Sequence, residues 1–281
     1  ELVNDTGYGL TSGIESLDER EINYWKKNIK AGNLYINRST TGAIVLRQPF
    51  GGIGKSAIGA GRKAGFFNYI TQFVDFEEVG NPKISKEYEN KLMALVKNLK
   101  IKNEDKKKLE IALQSYLYNY ENEFSLSKDY ANIRGEDNHF RYIVVSNVVI
   151  RVESHDSIVD ITLRILAARV SGVNFSVSIN KNEIVKEFLN NSKELFTQKD
   201  KMVEENDRDF SKTIKDFQRV IYSNISAVPE QIFNQAAKSA TFIVRQKPMM
   251  EGRLELLNYF EEQSISHSFH RYGNIGSRGL K

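Results

Sequence analysis

No cysteine occurs among the 281 residues. Disulfides, thiolate metal sites and cysteine nucleophiles are therefore excluded from this chain. Histidine is scarce as well: His139 and His155 stand alone, and only His267 and His270 have a spacing that could share a metal, with no obvious third ligand nearby. No run approaches the roughly 18 apolar residues of a membrane span. The first residues also lack the basic-then-apolar pattern of a secretory signal. Together these lacks suggest a cytoplasmic protein with no membrane span, peripheral association being left open. Charge of one sign is missing too. Forty Lys and Arg against 36 Asp and Glu leave +4, which gives little reason to expect a nucleic-acid partner. The densest basic run, residues 97–108, is broken by Glu104 and Asp105 and reads as a solvated linker or helix start.

What is present is the material of a soluble globular protein with a real core: 40% hydrophobic and 27% charged residues. The length suits one large domain or two ordinary ones. The first ~80 residues are glycine-rich and alternate between element types. Ser16 and Glu19 have capping-box spacing ahead of a helix that carries Ile22, Trp25 and Ile29 on one face and ends near Gly32. Residues 33–37 read as a short strand. A long loop, 38–54, follows, and loops of that length inside a compact domain are often functional.

A boundary is expected near Gly80-Asn81-Pro82. Beyond it, Ser85 can cap a helix with Tyr88, Leu92, Leu95 and Val96 inside, and a second helix over 105–122 carries an aromatic stripe read as core. From about 141 the pattern alternates: strands at 142–150, 175–179, 220–222 and 241–244, helices from 158 to an end at Gly172 and at 184–189, 232–237 and 254–260. Such alternation implies a parallel sheet with right-handed crossovers. The expected division is 1–80, a helical connector 81–140, and an α/β domain 141–281 with a C-terminal tail.

Several familiar signals fail on inspection. Gly54-Lys55-Ser56 has the tail of a phosphate-binding loop, but the glycine required five positions earlier is Pro49, which has no N–H to donate. Gly59, Gly61 and Gly65 match a dinucleotide fingerprint in density only. The turn after Ile150 (Arg151 to His155) contains no glycine, so a pyrophosphate would lack its cradle there. No Gly-x-Ser-x-Gly elbow and no convincing Ser/His/Asp arrangement is found.

The stretch from Asn33 to Gly52 is more specific. Pro49-Phe50-Gly51-Gly52, followed by Lys55 and Ser56, resembles the general motif at the C-terminal end of aldehyde dehydrogenase catalytic domains. Thr40-Thr41-Gly42-Ala43 is similar to the narrower signature of pyrroline-5-carboxylate (glutamate γ-semialdehyde) dehydrogenases, and the resemblance covers roughly residues 1–75. Gly135 to Asn138, Glu251 to Leu257 and Glu262 to Asn274 resemble the extension of long proline utilization A proteins.

The resemblance implies an α/β architecture: the end of an aldehyde dehydrogenase catalytic domain, then a small Rossmann-like domain that binds no nucleotide and lids an internal cavity. It implies oxidation of glutamate semialdehyde to glutamate with NAD, and FAD in an upstream proline dehydrogenase domain. Gly42 and Ala43 match the backbone donors that anchor the substrate carboxylate, since a small-residue turn lets N–H groups approach an anion unobstructed. Phe50 matches the aromatic that lines the aldehyde's aliphatic stem. The residues alone also allow that Gly42 merely turns the loop and that Phe50 is core.

No catalytic residue, metal ligand or cofactor-binding residue is expected in this chain itself. The implied chemistry needs a cysteine thiolate, a glutamate base and the nucleotide-binding half. Starting without methionine at Glu1, the chain reads as the middle of a domain, part of a longer polypeptide, inactive alone. Its expected partners are the rest of that polypeptide, a small-molecule substrate and further copies, because residues 1–80 would need substitute partners for apolar faces. The rival reading is an inert α/β interaction or scaffold module.

Overall fold

The computed structural model describes residues 1–57, 59–84, 86–224 and 228–269, so Ser85, His270 and the tail beyond it lie outside the described residues. The chain forms two compact units. Of the described residues, the first comprises those of 1–75, 125–143 and 261–269, and the second those of 76–124 and 144–260.

In the first unit, Thr11–Ile14 and Asn33–Ile36 are parallel strands joined by the helix Glu19–Asn28. Asp18, not Ser16, caps that helix, accepting from the Arg20 N–H; Ser16 Oγ instead donates to Glu21 Oε2 at 2.6 Å. Ile22 points inward with Ala31, Leu34, Ile36 and Ile265, flanked by Ile14, Trp25 and Ile29. The apolar face expected of this helix is therefore its core face. The strand Phe260–Ser268 runs parallel to Asn33–Ile36, with Ser264 beside Asn33 and Ser266 beside Tyr35. Glu136–Val144 and Ser127–Asp129 complete a five-stranded sheet. Side chains alternate along these strands. Leu34, Ile36 and Ile265 enter the apolar cluster. Asn33 and Ser264 reach the carbonyls of Gly51 and Pro49, so the opposite, polar face carries the long loop.

The second unit is built on five parallel strands in the order Phe242–Val244, Arg219–Ile221, Asn147–Val152, Asn174–Ile179, Lys201–Glu204. The earliest of them in sequence is central, the mark of a doubly wound sheet. The helix Ile158–Ser171 is capped by Ser157, whose side chain accepts from Asp160 N, and it stops at Gly172. Val149, Val220, Tyr222, Ile243 and residues of the helices Asp207–Thr213 and Glu230–Ser239 form one core cluster. In Asn103–Asn119 the buried face carries Leu109, Leu113 and Tyr116, whose hydroxyl donates to Met249 O at 2.5 Å. The helix expected after Ser85 is Lys91–Asn98, capped by Asn90, with Tyr88 outside it.

Three sequence expectations differ from these elements. The apolar run 142–150 is two strands, Glu136–Val144 and Asn147–Val152, which belong to different sheets. The break is Val145-Ser146, where the N–H groups turn to Tyr259 O and Gln218 Oε1. Residues 254–260 are one short α turn, Gly252–Glu255, a 3₁₀ turn, Leu256–Tyr259, and then the start of a strand. Finally, the units are not contiguous in sequence. Residues 125–143, most of them in the stretch 81–140 read as a helical connector, supply two strands to the first unit, and residues 261–268, which run into the tail read from Ser264, supply a third. No helix among the described residues is long and apolar enough to cross a membrane.

Candidate functional site

The loop leaving Asn33–Ile36 is anchored at its base. Asn37, at φ 54, ties its side chain to Ser16 N and Ser16 O, both at 2.9 Å. Ser39 to Leu46 are exposed, Gly42 at φ +101. Only glycine adopts that conformation without strain, so the turn depends on it. The arm beyond is pinned by Ile44 and Gln48, which exchange backbone hydrogen bonds, and by Leu46 N donating to Gly65 O at 3.0 Å. Among the described residues no group accepts from the N–H of Thr41, Gly42 or Ala43. Three successive donors thus stand unspent on a turn of small residues, an arrangement suited to an anion.

Two arginines close the base of this loop. Arg47 grips Glu136 in bidentate fashion, Nε to Oε2 at 3.1 Å and Nη2 to Oε1. Arg38 lies over the Tyr35 ring and donates through Nη1 to Ser266 Oγ at 2.5 Å, 3.5 Å from Glu136 Oε2. The three charges sum to +1.

Phe50, at the far end of the same loop, is half-buried, and its backbone exchanges hydrogen bonds with Ala64 at 3.0 and 2.9 Å. Beneath it, the buried Lys63 ammonium donates to Gly51 O at 2.6 Å and Asn33 Oδ1 at 3.0 Å. Burial lowers its pKa to about 7, against the opposing pull of Glu262 and Glu261. Glu262, wholly buried, accepts from Lys63 N and Asn68 Nδ2 at 2.9 and 2.8 Å.

The structure therefore sets Gly42 and Ala43 on one turn, with Phe50 at the other end of the loop. Arg38, Arg47, Lys63, Glu136 and Glu262 were not singled out from sequence. The last two come from strands that sequence patterning did not delimit, and an isolated Lys or Arg in a loop carries no signal of burial. His267 is buried, with Nε2 3.4 Å from Asn37 Nδ2. No group of three His, Cys, Asp or Glu able to hold a metal occurs among the described residues.

The switch point of the parallel sheet, where an α/β fold would receive a nucleotide, has the wrong chemistry for one. Glu153 N donates to Asp156 Oδ2, and Ser157 and Asp160 occupy the helix N-terminus. The Arg151 guanidinium lies across the strand ends, bonded to Ser178 Oγ, Glu205 O, Asp207 and Glu153. A pyrophosphate would meet carboxylates where it needs free N–H groups, so these residues do not fit NAD.

A model of the aldehyde dehydrogenase family matches residues 1–79. The chain is 51% identical over 72 residues to the bifunctional protein PutA of Rhizobium meliloti, covering 26% of the chain and 6% of that protein. It is 43% identical over 70 residues to the 1-pyrroline-5-carboxylate dehydrogenase of Bacillus subtilis, covering 25% of the chain and 13% of that enzyme. In structure, 96% of the chain is similar to proline utilization A (PutA) from Corynebacterium freiburgense, at a TM-score of 0.71 and 29% identity, over 24% of that chain. The likeness thus extends through both units, while the chain spans well under a third of each relative.

Proposed function

We propose that this chain supplies the carboxylate-anchoring loop of a 1-pyrroline-5-carboxylate (glutamate γ-semialdehyde) dehydrogenase that works in proline catabolism, as part of a larger proline utilization A polypeptide. The observation that carries this reading is the row of unspent N–H groups at Thr41, Gly42 and Ala43. Backbone donors on a small-residue turn can take a carboxylate without a side chain in the way. Phe50 would then lie along the aliphatic stem of the aldehyde.

The nucleophile, the general base and the NAD site belong, in this reading, to the rest of the polypeptide, and FAD to a proline-oxidising domain. NAD supplies the hydride acceptor; the residues of this chain hold and orient the substrate. The second unit, with acids and Arg151 where a cradle would be, acts as an accessory domain and not as a cofactor site. The chain alone is expected to be inactive.

The test is an amide-resolved NMR titration of the chain with glutarate and with its neutral diamide. Shifts at the Gly42 and Ala43 amides with the dicarboxylate only are expected. Equal response to both ligands, or no response at that turn, would overturn the reading.

A further inference from the structure

We propose that Arg38 binds the substrate carboxylate directly, alongside the Gly42 and Ala43 backbone, and so sets the preference for anionic aldehydes. This rests on the reading of the loop as a carboxylate anchor.

The geometry is specific. A methyl group placed on Gly42 would come to 3.4 Å from Arg38 Nη2, so that nitrogen faces the turn itself. Its two hydrogens are unspent: the contacts to Ser266 and Glu136 both use Nη1, and among the described residues nothing accepts from Nη2. The charge is only partly met, because Arg38 shares Glu136 with Arg47. Glu136 is already held in bidentate fashion by Arg47, and its Oε2 lies 3.5 Å from Arg38 Nη1.

Orientation is fixed by the surroundings. The Arg38 side chain is 15% exposed, lies over the Tyr35 ring and is tethered to Ser266. Ser266 Oγ in turn donates to Asn138 Oδ1 at 2.9 Å. A guanidinium held this way loses little freedom when it binds. One carboxylate oxygen can take the backbone N–H pair while the other takes Arg38 Nη2–H, giving the charge-assisted contact that a backbone turn alone lacks. A neutral aldehyde would leave Nη2 unused and gain nothing from it.

The experiment compares glutarate and glutaramide binding to the full chain and to the variants Arg38→Met, Arg38→Lys, Arg20→Met and Gly42→Val. Arg38→Met should weaken glutarate binding about 10-fold and leave glutaramide unchanged. Arg38→Lys should recover most of the loss, and Arg20→Met, which removes the same charge from an exposed helix start, should stay within about 2-fold of the parent. If Arg38→Met binds like the parent while Gly42→Val loses the ligand, the backbone anchors alone and the Arg38 role is wrong. Equal losses in Arg38→Met and Arg20→Met would mean an effect of net charge only, and would also sink it. Failure of the parent chain to prefer glutarate would remove the anchor reading and this inference with it.

Discussion

Lys63 is the residue with the sharpest consequence. Its ammonium is buried beneath Gly51, and its pKa is lowered to about 7 because desolvation outweighs Glu262 and Glu261. An unfolded lysine titrates near 10.4, so between roughly pH 7 and 10 the unfolded chain binds the extra proton. Stability contributed by this site must therefore rise with pH across that window, and the penalty is fully present below it. Denaturant unfolding of Lys63→Met at several pH values should show that rise flattened by a few kcal/mol relative to the parent; parallel curves would mean that Lys63 stays charged in the fold. Gly42 makes a different prediction. A β-branched side chain at φ +101 is strained, so Gly42→Val should lose glutarate binding. Because Gly42 is exposed, it should shift unfolding free energy by no more than about 1–3 kcal/mol.

Among the elements, the strand Phe260–Ser268 decides the first unit. It lies between Asn33–Ile36 and Glu136–Val144, and Ile265 completes the apolar cluster of Ile22, Leu34 and Ile36. Ile265→Ala should cost about 2–4 kcal/mol by calorimetry or denaturant titration, and a neutral result would contradict the placement of this strand. In the second unit the turn Gly252–Glu255 approaches Asn103–Asn119 closely enough that a Cβ on Gly252 would stand 2.5 Å from Ser115 O. Gly252→Ala should therefore destabilise by at least about 2 kcal/mol, measured the same way. The helix expected from its apolar spacing at Ile158 to an end at Gly172 is Ile158–Ser171, with Gly172 at its C-cap. The parallel α/β sheet was legible from alternation. The strand Phe260–Ser268 was not. Its residues Glu262, Gln263, Ser264, Ser266 and His267 are all buried yet polar, so no period-two hydrophobic pattern marks them. The candidate loop was singled out through motif resemblance, whereas Arg38 becomes visible only once the fold brings Ser266 and Glu136 beside it.

At the scale of the whole molecule, the first unit exposes large apolar side chains: Leu17 at 81%, Tyr24 at 73% and Phe73 at 66%. The chain spans only 13% of the Bacillus subtilis dehydrogenase it resembles, and such apolar surface favours association. Sedimentation velocity should find a concentration-dependent rise in mass, and a single monomeric species across the whole range would contradict this. The same unit also has a consequence for synthesis. Ala31 O accepts from Gln263 Nε2 across 232 residues of sequence, so the strand Asn33–Ile36 leaves the ribosome long before its neighbour exists. One side of that strand, with its unpaired N–H and C=O groups, stays open until residues 264–267 are made. Products that end before residue 260 should accordingly be chaperone clients and favoured targets of proteolysis, while products that include Phe260–Ser268 are less so.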